Sequence, residues 1–294
     1  MNTTLKFLAA PSSAAVLAVL VNLAGCTTDD NDPGTSTGGT GAKGGSTSTG
    51  SSTGTGGSNA GGAGGSAPAG SICAGSIVLG AATPGIADFD TYAGAPLKSW
   101  NFPLGDDAKT GVTAGTFAYG DREDGFPQTY EMVDGNESKY AFRINDTLAE
   151  KYGGGLGIWL SACLDASAFK GVSFFARGST PDGKATFTLQ MGDTLPSTPT
   201  MAGGPFGSCP GSTEDKTCVH PSFVFDVTDT WTKVEVPWSS IAPGTSAGNP
   251  VKPNGKNVTQ LQFAVGLVWT PDSAGVYSPT PAPYELLVDT ISFY

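Results

Sequence analysis

The sequence predicts an all-β protein, a two-sheet β-sandwich, and three observations carry that expectation. Apolar residues recur at every second position through residues 72–294, the period of a strand with one buried face. Gly (43) and Pro (21) punctuate the 294 residues densely, as many short strands joined by turns require. Charged residues are only 14%, and helical spacing is confined to stubs at Leu148–Tyr152 and Asp165–Phe169.

The chain begins with a targeting pattern over residues 1–25. Lys6 is the only charge before an apolar run, Ala14 to Val21, too short to span a bilayer as a helix. The run leads into Leu23-Ala24-Gly25-Cys26, which resembles the lipobox of bacterial lipoproteins. That resemblance implies cleavage before Cys26 and acylation of that residue. Thr27 rather than Asp follows, so the outer membrane, facing periplasm or cell surface, is the expected location. Acyl chains would be the only membrane contact.

Residues 26–71 form the expected linker. After Cys26 it holds 15 Gly and 17 Ser or Thr among 45 residues and no aromatic. Such a composition cannot bury enough apolar surface to offset ordering entropy, so a flexible stalk is expected.

The folded part is expected at 72–294. Tyr140, Phe142 and Ile144 alternate with Ala141, Arg143 and Asn145; Phe187, Leu189 and Met191 alternate with Thr188 and Gln190. Leu261, Phe263, Val265 and Leu267 alternate with Gln262, Ala264 and Gly266. Further strands are expected at Ile86–Asp90, Leu156–Ser161, Val172–Arg177, Phe223–Asp226, Lys233–Val236 and Glu285–Phe293. The net charge of −11 excludes a nucleic-acid binder, which needs clustered cations to displace phosphate counterions.

Four cysteines remain beside Cys26, an even number in an exported chain. Cys209 and Cys218 share a polar loop and are expected to bridge locally, leaving Cys73 to pair with Cys163. The spacings contain no C-x-x-C pair and the chain has one His, which speaks against a zinc site.

Several stretches resemble the galactose-binding-like jelly rolls used as carbohydrate-binding modules, especially family 11. They are Ile86-Ala87-Asp88-Phe89-Asp90, Gly157-Ile158-Trp159-Leu160 followed by Phe169 to Gly178, Thr230 to Trp238, and Leu287 to Phe293. Phe174-Phe175 stands where such modules often carry Phe-Trp. The resemblance implies a monomeric, non-catalytic module that binds a polysaccharide of β-glucan type. It also implies a structural Ca²⁺ between the first and last strands.

Sugar recognition needs an aromatic plane for the C–H face of the ring and planar polar groups for its hydroxyls. With Leu156, Ile158 and Leu160 facing the core, Trp159 faces outward, and the same count turns out Arg143, Gln190, Gln262 and, at a strand end, Arg177. Together they are the expected glycan platform; the alternative is that Trp159 packs beneath a loop. Trp100 and Tyr130, expected in long loops, could add a wall, while Trp231 and Trp238 are expected at core edges. Counting by two from Leu287 places Asp289 inward, where a lone carboxylate must be paired. Either Ca²⁺, shared with Asp88 or Asp90, or backbone amides at a sandwich corner would serve.

A glycoside hydrolase needs two carboxyl groups flanking the bond. The E-x-D-x-E strand pattern of jelly-roll glucanases is absent, Glu131 and Asp134 fall in a turn-like stretch, and no G-x-S-x-G accompanies His220. Binding is therefore expected over catalysis. A structural or adhesive surface lipoprotein is the third reading.

Overall fold

The computed structural model describes residues 73, 75–80, 85–97, 100–104, 112–147, 153–197 and 207–294. The signal, Cys26, the linker and the Leu148–Tyr152 stub lie outside the described residues. Strands follow one another along nearly all of the rest. The first are β1 (Ile77–Val78), β2 (Gly85–Ala87), β3 (Asn101–Pro103), β4 (Thr113–Tyr119), β5 (Thr129–Asp134) and β6 (Tyr140–Asp146). Next come β7 (Gly154–Asp165), β8 (Gly171–Ser179), β9 (Lys184–Met191), β10 (Ser222–Asp226) and β11 (Thr232–Pro237). The last are β12 (Gly244–Ser246), β13 (Asn249–Val251), β14 (Val258–Val265), β15 (Val268–Pro271), β16 (Tyr277–Thr280) and β17 (Tyr284–Phe293).

Two sheets pack as a sandwich, as the alternation predicts, with the jelly-roll connections that the resemblance implies. One has the order β10-β9-β14-β7-β4-β3, with β1 running parallel to β7; the other has the order β11-β8-β17-β6-β5, with β2 beside β17. The chain crosses between sheets from β6 to β7, β7 to β8, β8 to β9 and β10 to β11, so most hydrogen-bonded neighbours are distant in sequence. Each main strand turns its apolar set inward: Leu156, Ile158 and Leu160 from β7, Phe187 and Leu189 from β9, Phe142 and Ile144 from β6. At the centre, Phe174 of β8 meets Phe263 of β14 edge-on, ring centroids 4.7 Å apart. Both expected disulfides are present, Cys73–Cys163 and Cys209–Cys218.

Three local expectations are corrected. Instead of a helical stub, Asp165 ends β7 and Ala166–Phe169 turns, closed by Phe169 N–H donating to Ala166 O at 3.0 Å. Glu131 and Asp134 belong to β5 rather than a turn, because Glu131 pairs with Arg143 across the β5–β6 ladder. On β17 the inward residues are Leu286 and Val288, then Ile291 and Phe293. A bulge between Asp289 and Ser292, with Thr290 at φ 44, inserts the extra residue that switches the phase. Leu287 and Asp289 thus lie on the outer face. Asp289 is nevertheless fully buried, because the β5–β6 turn folds over it.

Candidate functional site

The outer face of the first sheet brings three rows of residues into register. Gly115, Trp159, Gln260 and Gln190 form one row across β4, β7, β14 and β9. The next holds Phe117, Gly157, Gln262 and Thr188, and the third Tyr119, Gly155, Ala264 and Thr186. On β10, Ser222 and Val224 extend the second and third rows.

Glycine creates the space in which the rings lie down. A Cβ on Gly115 would fall 2.4 Å from the Trp159 ring, one on Gly157 2.5 Å from Phe117, and one on Gly155 2.4 Å from Tyr119. Each ring therefore lies across a glycine of the neighbouring strand, where any side chain would lift it. Trp159 is half-buried, while Phe117 and Tyr119 are buried at their row ends. Beside this aromatic strip run the amides and hydroxyls of β14 and β9. Gln262 Nε2 donates to the Tyr119 hydroxyl at 2.6 Å, and burial pushes the Tyr119 phenol up to about 12, so it stays protonated. None of these fourteen side chains or glycines is charged.

Of the residues expected to form the platform, Trp159, Gln190 and Gln262 do share this face. Arg143 and Arg177 do not; they stand on the outer face of the other sheet, on β6 and β8. Alternation fixes in or out but not which sheet, and these two outward residues belong to the opposite layer. There Arg143 is held between Glu131 (2.8 Å) and Glu285 (2.6 Å), and the Arg177 guanidinium lies 5.1 Å over the Trp231 ring. Trp231 is thus a partner of Arg177, while Trp238 fills the core edge and donates to Phe169 O at 2.8 Å. Trp100 is buried against Phe102 and Tyr92 rather than walling a groove, and Tyr130 lies on β5 stacked on Phe126.

Sequence reasoning missed Phe117, Tyr119 and Gln260. The signal was present: Gly153-Gly154-Gly155-Leu156-Gly157 places glycines at alternate outward positions, which marks a close approach by something larger.

The carboxylates considered for Ca²⁺ hold chain segments instead. Asp289 Oδ2 accepts from Asn136 N (2.7 Å), Glu137 N (3.1 Å) and Ser138 N (3.5 Å). Its Oδ1 accepts from the Ser138 and Thr290 hydroxyls. Asp90 Oδ1 takes Lys139 N at 2.5 Å, and Asp88 Oδ1 takes Asp90 N at 3.0 Å. Donors converging on Asp289 suit an anion and repel a cation, and among the described residues no three Asp, Glu, His or Cys side chains gather as a metal site. The residues present do not fit Ca²⁺.

The fold and this face define an all-β sandwich whose first sheet carries half-buried Trp159 among uncharged neighbours, with the Lys184–Asp226 ion pair in the row beyond them. Solved structures similar to the chain include several carbohydrate-binding modules and part of an agarase. One is a family 11 module of Clostridium thermocellum solved with a β-1,3-1,4-mixed-linked tetrasaccharide: 15% identity, 61% of this chain and 87% of that one, TM-score 0.35. Another is a family 30 module of a Clostridium thermocellum cellulosomal cellulase, at 12% identity over 60% of this chain and 90% of that one, TM-score 0.33. A third is a family 61 module solved with β-1,4-galactotriose, at 12% identity over 61% and 87%, TM-score 0.27. No family model and no curated protein matches the sequence.

Proposed function

We propose that the sandwich binds a neutral polysaccharide, of β-glucan type, on the outer face of the first sheet. The observation that carries this reading is half-buried Trp159 laid over Gly115 beside the part-exposed amides and hydroxyl of Gln260, Gln190 and Thr186, with Phe117 and Tyr119 buried at the row ends and no charge in the three rows. A pyranose offers an apolar C–H face and a rim of hydroxyls, and the ring and the polar groups beside it match those two parts. Anionic polysaccharides would leave their carboxylates or sulfates desolvated and unpaired on this face. The role is non-catalytic in this reading: the three rows hold no carboxylate, and Asp226, one row further along β10, is ion-paired with Lys184 at 2.8 Å instead of facing a second carboxylate across a sugar. Acylation of Cys26 would hold the module on the cell envelope, with the Gly/Ser/Thr-rich segment giving it reach.

Isothermal titration of the purified protein against soluble β-glucan and against an acidic polysaccharide tests this. The expected result is binding of the neutral polymer alone, lost in Trp159→Ala, with no release of reducing sugar. Equal binding of both polymers, or of neither, would overturn the reading. Detergent partitioning of Cys26→Ser tests the anchor, the expected outcome being release into the aqueous phase.

A further inference from the structure

Among the described residues, the exposed aromatic rings are Trp269 (54%) and Tyr277 (65%), and both stand on the β15–β16 hairpin. Trp269 pairs with Pro279, and Pro271 with Tyr277. Since side chains alternate along a strand, these four share one face, with Trp269 and Tyr277 at diagonal positions whose backbones are about 7–8 Å apart. The other face presents Thr270, Ser278 and Thr280, with the Thr270 and Thr280 hydroxyls bonded to each other.

The tip is built rather than loose. Asp272 Oδ1 accepts from Ala274 N (2.8 Å) and Val276 N (2.9 Å), and Gly275 takes the φ of 78 that the turn requires. A hairpin in water is marginal by itself, and exposing its aromatic face instead of burying it is costly unless something covers it.

We propose that this hairpin is a second contact for the same neutral polysaccharide, engaging the part of the polymer that extends beyond the platform; it rests on the functional reading above. Two observations select that occupant. The hairpin is the direct continuation of β14, leaving the sheet two residues after Ala264 of the third platform row. Its chemistry also repeats the platform's: rings and hydroxyls, with Asp272 the only charge between Leu267 and Tyr284. Pro271 and Pro279 lack N–H groups, which disfavours pairing of a second copy along the hairpin edges.

The experiment compares wild type, Trp159→Ala and the double variant Trp269→Ala/Tyr277→Ala in the full chain, titrated with a soluble β-glucan polymer and with a tetrasaccharide cut from it. The double variant should lose about tenfold in affinity for the polymer, roughly 1.4 kcal/mol, with unchanged tetrasaccharide binding and unchanged melting. Trp159→Ala should weaken both ligands. Unchanged polymer binding in the double variant, or equal loss on both ligands, overturns the hairpin's role while the platform reading stands. A wild-type dimer that becomes monomeric in the double variant would assign the face to a second copy. A wild type that binds neither ligand removes both readings.

Discussion

Trp159 sits between two expectations that differ in what its removal does. Fully buried tryptophans cost about 3–5 kcal/mol of stability when truncated to alanine. This ring is half-buried, lies flat on Gly115 and supports no core residue from beneath. Ring stacking that removes about 80 Å² of sugar surface from water contributes on the order of 2 kcal/mol. Trp159→Ala should therefore weaken glucan binding roughly thirtyfold while melting changes little. A variant that melts far below wild type would make Trp159 a packing residue.

His220, the chain's one histidine, makes a separate prediction at the same scale. It is buried with Nδ1 2.9 Å from Thr194 Oγ1, and burial lowers its pKa from 6.5 to about 4. Below pH 6.5 the unfolded chain binds a proton that the folded chain refuses. Stability is thus complete above pH 6.5, falls as pH drops from 6.5 towards 4, and levels off below that. The full change is about 3 kcal/mol. Carboxylates titrate mostly lower, so melting temperatures between pH 6.5 and 5 isolate the effect. His220→Asn should flatten that slope; an unchanged slope would locate the proton elsewhere.

At the scale of elements, the β17 bulge and the β5–β6 turn form one device. The bulge points Asp289 outward and offers it the Thr290 hydroxyl, and the turn wraps it with three backbone N–H groups and the Ser138 hydroxyl. Hydrogen bonds to a charged acceptor are worth about 1.5–3 kcal/mol each, and orphaned amides cost further. Asp289→Ala should lose at least roughly 3 kcal/mol, the same with and without chelator. Wild-type melting that falls in chelator, and only when Asp289 is present, would restore a cation.

The same region shows what the sequence made legible. Period-two alternation located β7, β8, β9 and β14 and their inward faces, because one apolar face is a local property of each strand. The disulfide pairs followed from loop proximity and elimination. Three things were not local. Assigning Arg143 and Arg177 to a sheet requires knowing which distant strands pair. The phase after Asp289 depends on a single bulged residue that leaves no compositional mark. The laying of Trp159, Phe117 and Tyr119 on glycines is a cross-strand register, so glycines spaced along β7 read as weak strand rather than as seats for rings.

Across the whole molecule, the two disulfides do different work. Cys73–Cys163 spans a sequence separation of 90 and ties the start of the described chain to β7, whereas Cys209–Cys218 closes a separation of 9. Restricting the unfolded chain yields about 4.5 kcal/mol for the long loop and about 2.7 kcal/mol for the short one. Removing the first pair as Cys73→Ser/Cys163→Ser should therefore cost roughly 2 kcal/mol more in denaturant unfolding than Cys209→Ser/Cys218→Ser. The long bridge also has a mechanical consequence if the module is tethered through residues 26–71. Tension on a bound polymer then enters the sandwich at Cys73 and passes covalently to Cys163, on the same strand as Trp159 and four residues from it. The short parallel ladder of β1 on β7, only Ile77 and Val78 long, is bypassed. Pulling between the N-terminus and captured glucan should rupture the glycan contact before β1 peels in the oxidised protein, and peel β1 first in Cys73→Ser/Cys163→Ser. Identical rupture sequences in the two proteins would mean that the load reaches the sheet by another path.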